Sequence, residues 1–145
     1  MSKTNAWETG LLQLLFTNAD FATVGDGVGL RGSSLASALF VSLHTGDPGE
    51  AGSQNTSEAN YTGYARVSMP RNGSTWTVTT STVNPAATIS FPACTAGTNT
   101  ITHFGIGTAS TGAGVLLYKG TVSPTIAVSS GTTPRLTTAT AISEE

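Results

Sequence analysis

The sequence contains few charged residues and no cluster of one sign. Charged residues make up 10% of its 145 positions, against about 25% in typical soluble domains. Six Lys and Arg and eight Asp and Glu give a formal net charge of −2 and are scattered singly along the chain. Phosphate backbones and acidic lipid surfaces attract clustered Lys and Arg. We therefore expect neither a nucleic-acid partner nor a membrane partner.

Cysteine is almost absent. The single Cys94 rules out an internal disulfide framework, so stability must come from packing or association. It ends the short segment FPAC, at the end of a predicted strand. The pattern predicts a small buried hydrophobic residue, with an intermolecular disulfide as the alternative.

Long hydrophobic runs are also missing. No segment approaches the ~20 apolar residues that span a bilayer. The first five residues are followed by no apolar signal region. We expect a protein that is made and kept in the cytoplasm.

Thr, Ser and Gly are abundant instead, and apolar residues alternate with polar ones. Leu39, Val41 and Leu43 show a period of two, which is typical of a half-buried strand. The segment GDPG at 46–49 then ends the strand, and the alternation resumes near Tyr64. The stretch predicts two strands joined by a long polar loop.

Further alternating segments follow at 75–80, 88–91, 100–107, 115–122, 125–129 and 135–142. Asn84-Pro85 and Pro124 are predicted to separate strands. Residues 115–122 are apolar on both faces, which predicts a central strand that is covered on both sides. About seven to nine short strands predict an all-β protein, a β-sandwich or jelly-roll-like domain.

The amino-terminal part differs from the rest. Asn5 followed by Glu8 predicts a helix start, and a helix is expected over residues 6–17. Residues 18–37 contain four glycines and no sustained period, which predicts a Gly-rich arm. The predicted organisation is a helix and arm at 1–37 and a β-sandwich domain at 38–145. We expect the helix to dock on its own domain, with a neighbouring molecule as the alternative.

His44 and Asp47 are the one pair that suggests a catalytic or metal site, with His103 as a possible third member. The simpler interpretation is a turn-forming Asp and a hydrogen-bonded His. Glu50 and Glu58 are candidates for the paired carboxylates of glycoside hydrolysis, but they lie in a polar loop and have no defined separation, and solvated loop charges are the ordinary explanation. We therefore predict no catalytic residue, no metal site and no cofactor, and a protein that is not an enzyme.

Two other patterns in the sequence suggest binding sites. Tyr61, Tyr64 and Trp76 are candidates for an exposed aromatic platform that binds sugars, although core or interface positions are the usual alternative. The string GDGVG at 25–29 lacks a preceding strand and the Gly-Lys-Ser/Thr of a phosphate loop. We predict no nucleotide binding.

Three blocks, VSLHTGDPGEAG at 41–52, NYTGYARV at 60–67 and ITHFGIGTASTGAGVLLYKG at 101–120, resemble a family of small virion structural proteins of tailed bacteriophages. The family includes tail-fibre-like and head decoration proteins. The resemblance implies a structural part of the virion, and we expect a capsid decoration or cement protein that binds and stabilises the outer head surface. The alternative is a tail, fibre or baseplate component, including a module that binds the host surface.

The resemblance also implies partners and location. We expect a homo-oligomer, with a trimer favoured because decoration proteins commonly occupy three-fold axes of capsids. The expected partner is the phage major capsid protein, or alternatively tail proteins, within a virion assembled in the host cytoplasm. The residues expected to bind partners lie on the helix and arm: Trp7, Leu11, Leu14, Leu15 and Arg31.

Overall fold

The structure, a computed structural model, describes residues 2–22, 24–25, 27 and 29–144. The predicted arm and its GDGVG string include Thr23, Asp26 and Val28, which lie outside the described residues. Met1 and Glu145, at the ends of the two predicted domains, also lie outside them.

The secondary structure begins with one short helix and continues with strands. Helix α1 (Asn5–Leu12) runs into a π-helical turn (Gln13–Thr17). The strands are β1 (Ala38–His44), β2 (Val67–Pro70), β3 (Trp76–Thr79), β4 (Thr82–Pro85), β5 (Ile89–Ser90), β6 (Asn99–Gly107), β7 (Leu116–Val128), β8 (Arg135–Leu136) and β9 (Ile142–Ser143). The all-β class with a single amino-terminal helix is confirmed, and the nine strands of the described residues fall in the predicted range.

The strands form three sheets, with orders β2-β1-β6-β7, β3-β4-β9 and β5-β8. The pairs β1–β6, β6–β7, β3–β4, β4–β9 and β5–β8 are antiparallel. The more specific sandwich or jelly-roll arrangement stays a prediction.

The chain divides into two compact units that interleave along the sequence. Residues 1–38, 70–88 and 137–145 form the first unit, and residues 39–69 and 89–136 form the second. The three-stranded sheet belongs to the first unit, and most of the four-stranded sheet belongs to the second. The predicted domain division at 37/38 stays a prediction.

In the first unit, the helix packs on β3 and β4 of its own chain, as expected. Leu12 and Phe16 are fully buried. The Phe16 ring meets Trp76 edge-on, with 4.9 Å between centroids. The cap is Thr4 rather than the predicted Asn5, and its side chain makes no capping hydrogen bond.

The arm is folded back rather than extended. The backbones of Phe21 and Leu30 exchange two hydrogen bonds of 2.7 and 2.9 Å. The Asn18 side chain also binds Ser33 through both its oxygen and its nitrogen, each at 2.8 Å. These contacts close the segment into a loop, so the described residues of the arm do not project as a free strand.

In the second unit, the adjacent strands β1 and β6 are buried on both faces. Residues 41–44 and 104–107 are all buried, so consecutive side chains on opposite faces are covered. The prediction that residues 115–122 form the central strand is wrong. Strand β7 ends the sheet order, Leu117 is 36% exposed, and Val115, just before the strand, is 60% exposed.

The predicted strand break at Pro124 is also wrong. Pro124 lies within β7, at an irregularity of the pairing with β6. Ile101 of β6 pairs with Ile126 and His103 pairs with Thr121, so β7 has extra residues between these two pairs, and Pro124 is one of them. An edge strand tolerates Pro there, because its outward N–H has no neighbour to bond. Asn84-Pro85, by contrast, ends β4 before β5 begins at Ile89, as predicted, although β4 itself is an additional strand that pairs with β3.

Candidate functional site

The predicted His44–Asp47 pair does not form a site, because the two side chains have different partners. His44 is fully buried, with Nδ1 2.8 Å from the Thr56 carbonyl oxygen and Nε2 2.8 Å from the Ser42 hydroxyl. The Asp47 carboxylate accepts a 2.8 Å hydrogen bond from the Gly49 backbone N–H. The hydrogen-bonded His and the turn-forming Asp of the simpler interpretation are both present.

The surroundings of His44 hold its ring neutral. Since a carbonyl only accepts, Nδ1 carries the proton and Nε2 accepts from the Ser42 hydroxyl. Burial lowers the pKa of His44, although the Thr56 carbonyl acts in the opposite direction. Ser42 and His44 both have 0% exposure, so this Ser–His contact is closed to a substrate in the structure.

His103 lies opposite His44 in the β1–β6 register, and its Nδ1 is 2.8 Å from the Thr102 hydroxyl. The third member of the suspected site is therefore near the first, while Asp47 is bound elsewhere. The described residues contain no group of three or more His, Cys, Asp or Glu that could hold a metal ion.

A buried ion pair lies next to His44. Arg66 donates from Nε and Nη2 to the two oxygens of Glu58, at 2.7 and 2.8 Å. The Tyr64 hydroxyl donates to Glu58 Oε1 at 2.8 Å and accepts from the Leu43 backbone N–H at 3.0 Å. Burial raises the pKa of Tyr64, and the Glu58 carboxylate raises the pKa of Arg66. The carboxylate is thus fixed in position on three donors.

The same arginine fastens the β6–β7 hairpin. Arg66 also donates to the carbonyls of Ala109 and Gly112, at 2.9 and 2.6 Å. Gln54, fully buried, donates to the Phe40 carbonyl at 3.2 Å and accepts from the Ala109 N–H at 2.9 Å. The long loop after β1 and the hairpin tip are therefore joined through buried side chains.

Sequence reasoning missed these roles of Gln54 and Arg66. The alternation placed Arg66 on one face of a strand but carried no signal of its four acceptor atoms, which belong to Glu58 and to Ala109 and Gly112 of the hairpin tip. The suspected carboxylate pair has different partners: Glu58 binds Arg66, whereas Glu50 is 95% exposed at its side chain and pairs with Lys119 at 3.2 Å. Lys119 also lies 3.1 Å from Asp47.

The interpretation of Tyr61, Tyr64 and Trp76 as an exposed aromatic platform is wrong. Trp76 and Tyr61 are 1% and 3% exposed, and Tyr64 is half-buried. Tyr64 meets Tyr61 edge-on and stacks on Phe91 at 6.5 Å. These rings serve as core residues. Cys94 is buried as predicted, with its thiol 3.3 Å from the Ala96 carbonyl.

The predicted partner-binding residues are partly accessible. Trp7 is 40% exposed and its ring lies 5.2 Å from that of Phe21. Arg31 is exposed, whereas the helix leucines at 11, 14 and 15 are half-buried. The carbonyls of Leu14 and Leu15 accept hydrogen bonds of 2.6 Å from Arg71, a contact that sequence reasoning missed.

An open cleft of about 630 Å³ lies in the second unit, where β1 and β7 end and β6 begins. Its lining residues are Thr45, Glu58, Asn60, Thr98, Asn99, Thr100, Ala127, Val128 and Ser129. Glu58 is therefore both a member of the network around Arg66 and a lining residue of the cleft.

The sequence model of one family, described as Podophage GP4 fiber I protein gp80, matches residues 2–142. The chain belongs to this family. It is a small structural protein of a phage virion, which confirms the resemblance seen in the three sequence blocks. No curated protein matches the chain. Among the described residues, no helix is long and apolar enough to span a membrane.

Proposed function

We propose that this protein is a non-enzymatic component of a virion fibre. The observation that carries the proposal is the family match over residues 2–142, because the family is described by a fibre protein. The geometry agrees with a passive role, since the side chains that suggest chemistry act as structural contacts. His44 is closed to solvent, Glu58 is held by Arg66, and Asp47 stabilises a turn.

The form of the second unit also suits a fibre component. The buried side chains of Arg66 and Gln54 hold a long loop and a hairpin tip together. Cys94 is free, and the described residues contain no group that could hold a metal ion, so hydrogen bonds make this connection. Such a network holds exposed loops in one conformation, as a part that contacts other molecules requires.

Self-association belongs to the proposal. Leu35 and Val115 are 89% and 60% exposed, and exposed apolar residues on a weakly charged surface favour contact with other protein. The chain is proposed to act as a homo-oligomer, with a trimer as the first expectation. Its proposed neighbours are tail proteins, and Trp7, Leu11, Leu14, Leu15 and Arg31 are proposed contact residues.

Attachment to the head as a decoration protein stays a prediction and is the competing outcome of one experiment. Antibody against the purified chain, bound to intact virions and imaged by electron microscopy, should label fibres and leave the capsid faces clear. The copy number, measured by quantitative mass spectrometry, should be far below that of the major capsid protein. Label over the whole capsid surface at a comparable copy number would contradict the fibre role and support the decoration role.

A further inference from the structure

The open cleft of the second unit combines a ligand-sized space with side chains that are already positioned. Its volume of about 630 Å³ lies in the range of about 300–1,000 Å³ that is usual for small-molecule sites. Thr100 and Ala127 face each other in the β6–β7 register, as do Asn99 and Val128. The cleft is thus built on paired strands, so its walls are held in place.

Two amides in the cleft are oriented by hydrogen bonds. The Asn99 oxygen accepts from the backbone N–H groups of Asn60 and Tyr61, at 2.9 and 3.0 Å. The Asn99 nitrogen donates to the Asn60 side-chain oxygen at 2.9 Å. The Asn60 amide nitrogen then has no acceptor among the described residues, and it is available to a ligand as a donor.

Acceptors for a ligand lie beside this donor. Glu58 Oε2 receives one hydrogen bond, from Arg66, and a carboxylate oxygen can accept more than one. Thr98 and Thr100, which carry hydroxyl groups, also line the cleft, as do the apolar residues Ala127 and Val128. The lining therefore offers hydrogen-bond donors, acceptors and C–H contact together.

The charge of the lining selects among polar ligands. Glu58 is the one charged residue of the lining, which contains neither Lys nor Arg. The Glu58 charge is paired with Arg66, and no further Lys or Arg lines the cleft to attract a phosphate or carboxylate, so anions are disfavoured. A neutral molecule with many hydroxyl groups fits the donors, acceptors and apolar patch.

We propose that this cleft binds a neutral saccharide unit, and the proposal rests on the fibre role proposed above. The lining contains no aromatic ring to stack on a sugar, so a single cleft binds weakly. Several copies in one oligomer raise the overall affinity through effective concentration.

The test is a ¹H–¹⁵N NMR titration of the full chain with glucose, galactose, mannose, rhamnose and N-acetylglucosamine. At least one sugar should shift the amides of residues 98–100 and 127–129 saturably at concentrations up to about 100 mM, which covers weak single-site affinities. Sodium phosphate and glucuronate serve as anionic probes and should leave these amides unchanged.

Three variants assign the binding to the cleft. Ala127→Trp fills the space from an exposed position and should abolish the shifts. Thr100→Val keeps the β-branched shape, removes one hydroxyl and should weaken binding by about two- to tenfold. Thr121→Val makes the same change at an exposed position of β7 outside the lining and should leave the affinity unchanged. Dispersed spectra of all three confirm folding.

The proposal is overturned if none of the five sugars shifts these amides, or if phosphate or glucuronate shifts them as strongly. Shifts that persist in Ala127→Trp would place the sugar elsewhere and overturn it too. The fibre role is decided separately by the virion images. If the protein is seen on fibres but binds no sugar, only the saccharide proposal is refuted. If it binds sugar but is spread over the capsid, only the fibre role is refuted.

Discussion

Arg66 carries the densest set of polar contacts in the second unit. Its side chain is 2% exposed, and it donates to both oxygens of Glu58 and to the carbonyls of Ala109 and Gly112. A buried guanidinium is tolerated only when its donors are matched, as they are here. Removing the side chain would leave Glu58 and two carbonyls without these donors.

Arg66→Ala should therefore lower the free energy of unfolding by about 2–4 kcal/mol, because breaking a largely buried ion pair leaves an uncompensated charge. Guanidinium unfolding of the full chain measures the effect. Arg135→Ala, at an exposed position of β8, is the matched control and should change stability by less than about 0.5 kcal/mol. Equal losses in the two variants would show that the buried pair does not stabilise the unit.

His44 should make stability depend on pH. Its pKa in the folded chain is lowered below the reference value of 6.5 by burial. The unfolded chain therefore binds a proton more readily than the folded chain below that pH. The stability contribution of neutral His44 is complete above pH 6.5 and is lost as the pH falls from 6.5 toward the folded-state pKa, by up to about 1.4 kcal/mol per pH unit.

Urea unfolding between pH 7.5 and 5, repeated for His44→Gln and His103→Gln, checks this expectation. The His103→Gln control should keep the pH dependence, since His103 is half-buried and lies outside the Ser42–His44–Thr56 hydrogen bonds. A slope that survives unchanged in His44→Gln would assign the effect to another group.

Among the elements, β1 and β7 show how strand order controls burial. Both are rich in apolar residues, but β1 has β6 on one side and β2 on the other, whereas β7 ends the sheet. Leu43 consequently has 0% exposure and Leu117 has 36%. Apolar composition alone ranked β7 above β1, and this ranking was wrong.

Leu43→Ala should cost about 2–5 kcal/mol, the range for truncating a packed leucine. Leu117→Ala removes the same atoms from a half-covered position and should cost less than about 1 kcal/mol. Denaturant unfolding of the two single variants measures both values. A larger loss for Leu117→Ala than for Leu43→Ala would mean that β7 is covered in solution.

The helix shows the same distinction within one element. The helix residues expected to bind partners, Trp7, Leu11, Leu14 and Leu15, are exposed or half-buried. The buried stripe in fact runs through Glu8, Leu12 and Phe16, at intervals of four residues. Since Phe16 packs on Trp76, the helix contributes side chains to the core of the first unit.

At the scale of the whole molecule, the property to be measured is association between copies of the chain. A weakly charged surface with exposed apolar side chains predicts assembly. Sedimentation equilibrium of the purified chain should give three times the 14.7 kDa of one chain. Trp7→Glu places a charge at a proposed contact and should shift the equilibrium toward the monomer, while Thr121→Glu serves as a control at another exposed position. A chain that stays monomeric at high concentration would contradict the proposed oligomer.

By itself, the sequence determined the properties that depend on composition and local period. Alternation predicted strands near 38–44, 76–79, 89–90 and 99–107, because a period of two places successive side chains on opposite faces. The scattered charges and the single cysteine set the expectations for partners and for disulfides. The three sequence blocks led to the phage virion family before any fold was known.

Only the tertiary structure decided which strand is central, which helix stripe is buried and which polar residues meet. Arg66 finds acceptors on Glu58, Ala109 and Gly112, which are 8, 43 and 46 positions away. The cleft likewise joins the ends of β1 and β7 to the start of β6. Strand order and loop closure bring these residues into contact. The free energy that favours this arrangement comes from contacts between segments that are distant in the sequence, and a local sequence pattern carries no information about such contacts.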